Sequence, residues 1–456
     1  MNNLPLSSVA GNASPLHKKA RIIFLDAIRG IAVLGILIMN IMAQGQAHFF
    51  YNNMDLSQPI TGPNFYAWVI EMGIFEGTMR GLFSILFGAG TILLLTRLEK
   101  TRAHLDVADI YYRRMLWLLV FGLINAYIFL WPGDILYYYA LCGLFLFPFR
   151  KLSAQKLFIC ALILLIIGSY RETNALYDRK ETISKGKTAE MLQKNREKLT
   201  GKQTGELKAW EEMKEKHSSK GIMTQAAEET KKVQEANYPQ IFAYYRDVNM
   251  KLQSLGLFNS WWDMLLFFFL GMALFRSGYL TGESKIWIYL LVTIAGIGVG
   301  LWINYTELKM LYFLRFDEVK MIENTTGAYY QIRRLVQTLG YLSLLILLYK
   351  INPLKWIFRI FVPVGQMAFS NYLGQSIITS VIFLGFGWFG RLQRYEIYEI
   401  AAAIWVFQIV FSHIWLKYFI FGPFEWVWRS LTYQKIQPFK RVESQDVLPD
   451  LNTAHA

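Results

Sequence analysis

Long apolar runs separated by short polar segments dominate the chain. A helix of about 20 mostly apolar residues crosses the hydrocarbon core of a bilayer. The pattern predicts ten such spans, near 22–43, 80–97, 114–131, 134–150, 155–170, 259–276, 285–304, 332–350, 364–389 and 397–421. The chain is therefore predicted to be an all-α polytopic membrane protein.

The composition agrees with this pattern. Hydrophobic residues make up 54% of the chain and charged residues 18%, whereas soluble domains are about 25% charged. Residues 1–20 are polar and contain no apolar signal-peptide core. We therefore expect no cleaved signal peptide, and the first span acts as an uncleaved insertion signal.

Basic residues predict the orientation of the spans. They cluster before the first span and in alternate loops after it, at Lys18, Lys19, Arg21, Arg97, Lys100, Arg102, Arg113, Arg114, Arg150, Lys151, Lys156, Lys350, Lys355, Arg359, Arg429, Lys435, Lys440 and Arg441. Short cytoplasmic loops carry the excess of lysine and arginine in membrane proteins. Ten spans that start inside place all these residues in the cytoplasm, together with both chain termini.

Five regions follow from this topology. They are a cytoplasmic N-terminal tail (1–20), spans one to five (21–170), an extracytoplasmic helical insertion (171–258), spans six to ten (259–437) and a disordered cytoplasmic tail (438–456). The insertion alternates lysine and glutamate with helical patterning at 189–199, 205–216 and 225–252. Mixed charge of this kind is typical of a solvated helical surface, so we expect a separate unit.

The net charge of +14 reflects the loop bias, and nucleic-acid binding is not predicted. The two cysteines, Cys142 and Cys160, both fall within predicted spans, which excludes a disulfide framework. The six histidines show no metal-binding spacing, and no metal is expected.

The first span carries the most informative polar pattern. Asp26, Arg29 and Asn40 fall on one face of a helix, with Arg29 and Asn40 about 16 Å apart along its axis. The opposite face is apolar and can meet lipid or another helix. Polar groups within a span are costly and usually face a protein interior or an aqueous crevice. The stripe therefore predicts a site, and the alternative is an Asp26–Arg29 pair that only anchors the helix end.

His48 follows Asn40 by eight residues, at the predicted outer end of the first span. A neutral imidazole can act as a general base for a hydroxyl or amine nucleophile. The alternative is an ordinary interfacial histidine in an aromatic loop.

Four further groups are candidate substrate-binding residues. Glu76 and Arg80 are spaced for an i,i+4 pair at the start of the second span. Asp134 stands where a helix N-cap is expected, and capping is its default role. Asn371 and Gln375 belong to a polar stretch of the ninth span that is expected to line the bundle beside the first span.

Five stretches resemble the YeiB-like family of bacterial membrane proteins, which carries the C-terminal domain of unknown function 418. They are DAIRGIAVLGILIMN (26–40), LFSILFGAG (82–90), GDILYYYA (133–140), MAFSNYLGQS (367–376) and GPFEWVWRSLTY (422–433). The resemblance implies a multi-pass protein of the bacterial cytoplasmic (inner) membrane, with the family's C-terminal domain at roughly 240–435. The family often has a histidine in place of Asn125 and a lysine in place of Thr78.

The first span is also similar to that of transmembrane acyltransferases, including heparan glucosaminide acetyltransferases. Their pattern falls on Asp26, Arg29, Gly30 and Asn40, and their catalytic histidine lies in the loop after the asparagine, at a longer spacing than His48 has here. The similarity implies transfer of an acyl group from cytoplasmic acyl-CoA to an extracytoplasmic glycan or lipid-linked acceptor.

In this interpretation Asn40 stabilises the oxyanion and His48 is the base. The basic loop around Arg97, Lys100, Arg102, Arg113 and Arg114 could bind the CoA phosphates, or could serve orientation alone. Two other functions remain open, a transporter or permease for a small molecule or lipid and a non-catalytic membrane scaffold. Beyond the lipid bilayer as a partner, the sequence leaves open whether the chain forms a homo-oligomer.

Overall fold

The computed structural model describes residues 18–57, 59–100, 104–351 and 354–441. Helices, turns and one isolated antiparallel bridge between Phe419 and Lys440 account for the regular structure of these ranges. The all-α fold class is thereby confirmed. Most of the expected N-terminal tail, Arg102 and residues 442–456 of the expected C-terminal tail lie outside the described residues.

The helices before the C-terminal half of the chain are α1 (Lys18–Gly45), α2 (Pro63–Ile70), α3 (Thr78–Glu99), α4 (His104–Tyr127), α5 (Leu136–Leu144), α6 (Ala154–Lys194), α7 (Gly201–His217), α8 (Ser219–Glu235) and α9 (Tyr238–Lys251). Those that follow are α10 (Leu257–Arg276), α11 (Ile286–Phe313), α12 (Glu318–Asn324), α13 (Tyr330–Ile351), α14 (Lys355–Gln366), α15 (Ala368–Ser380), α16 (Arg394–Tyr418) and α17 (Pro423–Tyr433).

Seven stretches of the described chain are long and apolar enough to cross a membrane: Ile23–Gly45, Pro63–Glu99, Ala154–Lys194, Tyr238–Arg276, Ile286–Phe313, Tyr330–Ile351 and Arg394–Tyr418. The pair α14 and α15 adds an eighth if its two halves, which meet at 75°, are one broken span. This agrees with a helical membrane protein but does not confirm ten spans. The predicted third span lies partly in α4, whose middle carries Arg113 and Arg114, and the predicted fourth coincides with α5. Nine residues of helix rise only about 14 Å, less than the hydrocarbon thickness.

The bundle has two opposite ends, at which the helices begin and end. At the first, which we call the basic end, Arg150 pairs with Glu99 at 2.9 Å, and Lys350 donates to the carbonyl oxygen of Gly282 at 2.7 Å. Arg114 also meets α17 there. The loops predicted to be cytoplasmic therefore lie together in the fold.

The other end, which we call the insertion end, holds the insertion and the loop after α1. α6 runs without a break from its apolar part into the insertion, and a π-helical turn joins α9 to α10. Gln234 donates to the carbonyl oxygen of Phe389 at 2.8 Å, and Asn249 donates to that of Ala126 at 2.6 Å. The insertion is helical, as expected, and it is also joined to the bundle by continuous helices and hydrogen bonds.

α1 lies at the centre of the bundle, packed against α3, α14, α15 and α16. Its apolar face is buried against these helices at Leu25, Ile28, Leu34 and Ile38. The predicted polar stripe remains the more accessible side, because Asp26, Arg29 and Asn40 are only half-buried.

Candidate functional site

The basic end of α1 carries the predicted Asp26–Arg29 pair. Arg29 Nη1 donates to Asp26 Oδ1 at 2.6 Å, and neither side chain is fully buried. Both residues are half-accessible beside α14, which crosses α1 at Gly30. The pair is formed, and it leaves the outer part of the Arg29 guanidinium accessible.

Four helices each bring one arginine to this region. Arg29, Arg97, Arg114 and Arg429 belong to α1, α3, α4 and α17. Arg114 interacts electrostatically with Arg29 and Arg429, and Arg429 with Arg97 and Arg29. We call these four residues the arginine cluster. Two carboxylates lie near it, Asp26, which pairs with Arg29, and Glu425. The four guanidinium groups outnumber these two carboxylates, and clustered positive charge favours an anionic ligand.

Packing fixes two members of the cluster. The Arg114 guanidinium lies 3.6 Å from the centre of the Trp428 ring, whose indole N–H donates to the Arg114 carbonyl oxygen at 3.0 Å. The Arg429 guanidinium lies 4.5 Å from the centre of the Phe421 ring. Stacked guanidinium groups keep their N–H edges available for bidentate contacts with phosphate or carboxylate.

Other basic residues of the loop predicted between the second and third spans, for which CoA binding or orientation alone is predicted, make different contacts. Arg113 donates to the carbonyl oxygen of Thr432 at 3.0 Å and pairs with Asp109. Lys100 is exposed at the end of α3. Of the members of that loop that the structure describes, Arg97 and Arg114 therefore belong to the cluster.

A broken helix lies beside α1. The α14–α15 pair bends at Met367, where the first N–H groups of α15 are left without helical partners. Glu425 Oε1 accepts the N–H groups of Phe369 at 2.8 Å and Ser370 at 3.0 Å, and the Ser370 hydroxyl donates to Glu425 Oε2. The positive end of α15 is thus already occupied by a carboxylate of this chain.

Asn371 and Gln375 connect helices, as their burial suggests. The Asn371 amide donates to the Ser412 hydroxyl at 3.0 Å and to a carbonyl oxygen of α14 at 3.1 Å. Gln375 donates to Gln408 Oε1 at 3.0 Å and to the carbonyl oxygen of Val33 at 3.2 Å. The two residues therefore join α15 to α16, α14 and α1, and Gln375 lies beside the first span as predicted.

Glu76 and Arg80 do not pair with each other, so this prediction is wrong. Gly77 has a left-handed backbone (φ 71°), and α3 begins only at Thr78. Glu76 therefore stands before the helix and points to α13. There it accepts the hydroxyl of Tyr330 at 2.9 Å and pairs with Arg333 at 2.5 Å.

Arg80 belongs to a second ion-pair group between α3, α10 and α13. Asp263 pairs with Arg334 and lies 3.6 Å from Arg80. Arg80 also interacts electrostatically with Tyr51 in the loop after α1. Burial, with a smaller contribution from Glu76, raises the pKa of Tyr51 above its ordinary value. This group of charges therefore lies inside the bundle, next to Tyr51 of the loop after α1.

Asp134 is fully buried at the start of α5. Its Oδ2 accepts the N–H of Tyr137 at 2.8 Å, a bond typical of a helix cap. Its Oδ1 accepts the Asn125 amide at 2.8 Å and the Tyr372 hydroxyl at 3.3 Å. Capping, its default role, is thus accompanied by contacts that join α5 to α4 and α15.

His48 meets a carboxylate of the insertion. It begins a 3₁₀ turn (His48–Phe50), and its Nδ1 lies 2.7 Å from Oε2 of Glu229 on α8. The same oxygen accepts the backbone N–H of His48 at 3.1 Å. The histidine side chain is 57% exposed, whereas that of Glu229 is 5% exposed. Such a pair leaves Nε2 of His48 accessible.

Asn40 lies on α1 between the arginine cluster and His48, and its side-chain amide makes no hydrogen bond to the described part of the chain. Over that same part, no three histidine, cysteine, aspartate or glutamate side chains are arranged to hold a metal ion. The candidate residues thus form separate groups spread along the bundle, with α1 running from the arginine cluster towards His48.

Two bacterial proteins match almost the whole chain. An uncharacterised protein of Bacillus subtilis, YxaH, is 30% identical over 94% of this chain and 98% of its own length. The uncharacterised YeiB of Escherichia coli is 27% identical over 92% of this chain and 98% of its own length. The chain belongs to the YeiB-like family. A family model described as "Protein of unknown function (DUF418)" matches residues 274–435. The matched domain therefore starts later than the expected residue 240. No solved structure matches the chain.

Asn125 and Thr78, where the family resemblance implies a histidine and a lysine, are both buried. Asn125 donates to Asp134, and the Thr78 hydroxyl donates to the carbonyl oxygen of Ile74 at 2.7 Å. Neither side chain reaches the arginine cluster or His48 by a hydrogen bond. Both are therefore in structural contacts here.

Several residues of these groups are not among the candidates that the sequence predicts. Asp263, Arg333 and Arg334 are charges within predicted spans, and this alone was a signal, because charged groups in spans usually pair inside the bundle. Glu229 is one of many glutamates in a charged insertion, and no local pattern distinguishes it.

Proposed function

We propose that this YeiB-like protein is a membrane acyltransferase that moves an acyl group from cytoplasmic acyl-CoA to an extracytoplasmic glycan or lipid-linked acceptor. It would lie in the cytoplasmic membrane, with the basic end and both termini in the cytoplasm and the insertion outside. The observation that carries the proposal is the arginine cluster at one end of α1, with an accessible histidine beyond the other end.

The arginine cluster supports the donor half of the proposal. Acyl-CoA carries several phosphate groups, and guanidinium groups bind phosphate oxygens through paired N–H donors. Arg114 and Arg429 are held by aromatic rings, so little side-chain entropy is lost when they bind a ligand. The four arginines come from four helices, so a bound CoA would also join those helices.

The polar face of α1 supports a path for the pantetheine arm. Arg29 and Asn40 lie on the accessible side of the helix and are about 16 Å apart along its axis. An arm anchored by its phosphates at the arginine cluster could bring the thioester to Asn40. The acceptor would approach from the insertion end, where His48 is exposed.

The chemistry needs a base and an oxyanion donor. Nε2 of His48 would take the proton of the acceptor hydroxyl or amine as that oxygen or nitrogen attacks the thioester carbonyl carbon. The Asn40 amide would donate to the carbonyl oxygen as its negative charge develops. The carbon–sulfur bond then breaks, the proton passes to the leaving thiolate, and the products are the acylated acceptor and free CoA.

A permease is the second candidate, because the broken α14–α15 pair is an element that transporters use at their binding sites. In such sites the N-terminus of the half-helix faces the substrate. Here that N-terminus binds Glu425. This contact favours the enzyme over the permease.

The test is release of CoA from acetyl-CoA by membranes containing the protein, with candidate sugars as acceptors. Arg114→Ala should raise KM for acetyl-CoA by about 10-fold or more, the scale of one charge-assisted contact. Arg359→Ala is the matched control, an exposed arginine of α14 near Tyr349 at the basic end, and it should leave KM unchanged.

Two variants test the chemical half. His48→Ala should lower kcat by about 100-fold or more, the scale for loss of a general base. Asn40→Leu should also abolish transfer, and poor insertion cannot explain such a loss, because removing an amide from a span favours insertion. Full activity of Asn40→Leu, or an unchanged KM in Arg114→Ala, would refute the proposed site.

A further inference from the structure

The accessible histidine of the loop after α1 is held by a carboxylate from a distant part of the chain. Glu229 lies on α8 in the insertion, 181 positions from His48, and its Oε2 accepts from both the backbone N–H and the ring of that residue. Two bonds to one oxygen fix the ring relative to its own backbone.

The contact determines which ring nitrogen is free. An ionised carboxylate can only accept hydrogen bonds, so Nδ1 of His48 carries the hydrogen in this pair. Nε2 of the neutral ring is then an acceptor with a free lone pair, the form that a general base requires. The side chain of Tyr244 lies near Glu229 and interacts with it electrostatically.

Apolar packing beside this pair also joins the insertion to the loop after α1. Ala47 and Phe50 of the loop pack against Ala226 of α8 in a small apolar cluster next to the pair. Burial of apolar surface favours such docking, whereas burial of a carboxylate opposes it. A buried Glu229 thus has a cost that the packing alone does not explain.

We propose that Glu229 is a positioning residue for acyl transfer: it holds His48 in the Nδ1–H tautomer, with Nε2 towards the acceptor. The inference rests on the proposed function, since it needs His48 to be the base. It makes the insertion part of the active site, so removal of the insertion should lower kcat at least as much as Glu229→Ala does.

A double-mutant cycle in the acetyl-CoA assay tests this role. Glu229→Ala should lower kcat by about 10-fold or more, within the total that a general base contributes, and leave KM for acetyl-CoA unchanged. His48→Ala combined with Glu229→Ala should be no slower than His48→Ala alone, because Glu229 acts only through the ring. Glu228→Ala, a change at an exposed neighbour, is the control and should retain full kcat.

The outcomes separate this inference from the proposed function. A slow His48→Ala with a fully active Glu229→Ala would refute the positioning role and leave the base in place. Additive losses in the double variant would show a separate structural role for Glu229, which also refutes it. A fully active His48→Ala would refute both.

A second measurement does not depend on activity. Solid-state NMR of protein with ¹⁵N-labelled histidine, assigned with His48→Gln, should show the Nδ1–H tautomer for His48 in the wild type and its loss in Glu229→Ala. An Nε2–H tautomer in the wild type would contradict the inference.

Discussion

Buried ion pairs set the positions of single side chains between α3, α10 and α13. Arg333 is buried, and its guanidinium meets Glu76 at 2.5 Å and Glu307 at 3.4 Å. Glu76 has the Tyr330 hydroxyl as a second partner. When one member of a buried pair is removed, the other charge stays buried without compensation, and this costs more than the pair itself contributes.

We expect Glu76→Gln to destabilise the protein by about 3–5 kcal/mol, the range for breaking a buried pair. Arg333→Gln should cost a similar amount, and the double variant should cost clearly less than the sum, because the two residues are coupled. Unfolding in mixed detergent micelles measures the three free energies. A second cycle with Arg80→Gln and Glu76→Gln measures the coupling between Glu76 and Arg80 for comparison. Stronger coupling of Glu76 to Arg80 than to Arg333 would contradict the observed pairing.

At this scale the sequence predicts which residues are polar but not their partners. Helical spacing predicts a Glu76–Arg80 pair only if the helix is unbroken, and the left-handed backbone at Gly77 removes that condition. Asp26 and Arg29 lie within one helix, so their spacing predicts their contact correctly. Glu229 meets His48 across 181 positions, a distance that no local pattern covers.

Close helix crossings determine how α1 sits in the bundle. A Cβ atom on Gly365 would overlap the carbonyl oxygen of Asp26, and one on Gly30 would overlap that of Phe361. Small residues at such crossings allow two backbones to approach in membrane helices. The α1–α14 crossing thus positions Asp26 and Arg29 at the basic end.

We expect Gly365→Ala to push α14 away from α1 and to destabilise the protein by about 1–3 kcal/mol, the usual cost of overpacking. Gly298→Ala is the matched control on α11, where an added Cβ meets no atom within 4 Å. It should be neutral or slightly stabilising, because alanine favours the helix. Thermal unfolding in detergent compares the two variants, and equal melting temperatures would contradict the tight crossing.

Among the elements, long apolar helices are predicted best. α1, α11, α13 and α16 each contain or overlap a predicted span closely. α5 is a short helix because its apolar run starts after the Gly133–Asp134 turn and ends in a 3₁₀ turn with Pro148. The charge pattern of the insertion predicts a solvated, separate unit, because such a pattern cannot show that α6 continues into it.

The whole molecule is organised along α1. The arginine cluster lies at the basic end, and His48 and the insertion lie at the other. The loops predicted to be cytoplasmic meet at the basic end, because the charge bias that orients spans acts on every loop of one side. In the proposed function this arrangement places the donor and the acceptor on opposite sides of the membrane.

Binding of radiolabelled desulfo-CoA to sealed vesicles of known orientation tests this arrangement most directly, because it needs no acceptor and CoA does not cross a bilayer. We expect saturable binding to inside-out vesicles and none to right-side-out vesicles. Arg114→Ala should weaken binding by about 10-fold or more, and Arg359→Ala should leave it unchanged. No binding to inside-out vesicles, equal binding to both orientations, or full binding in Arg114→Ala would contradict a cytoplasmic donor site at the arginine cluster.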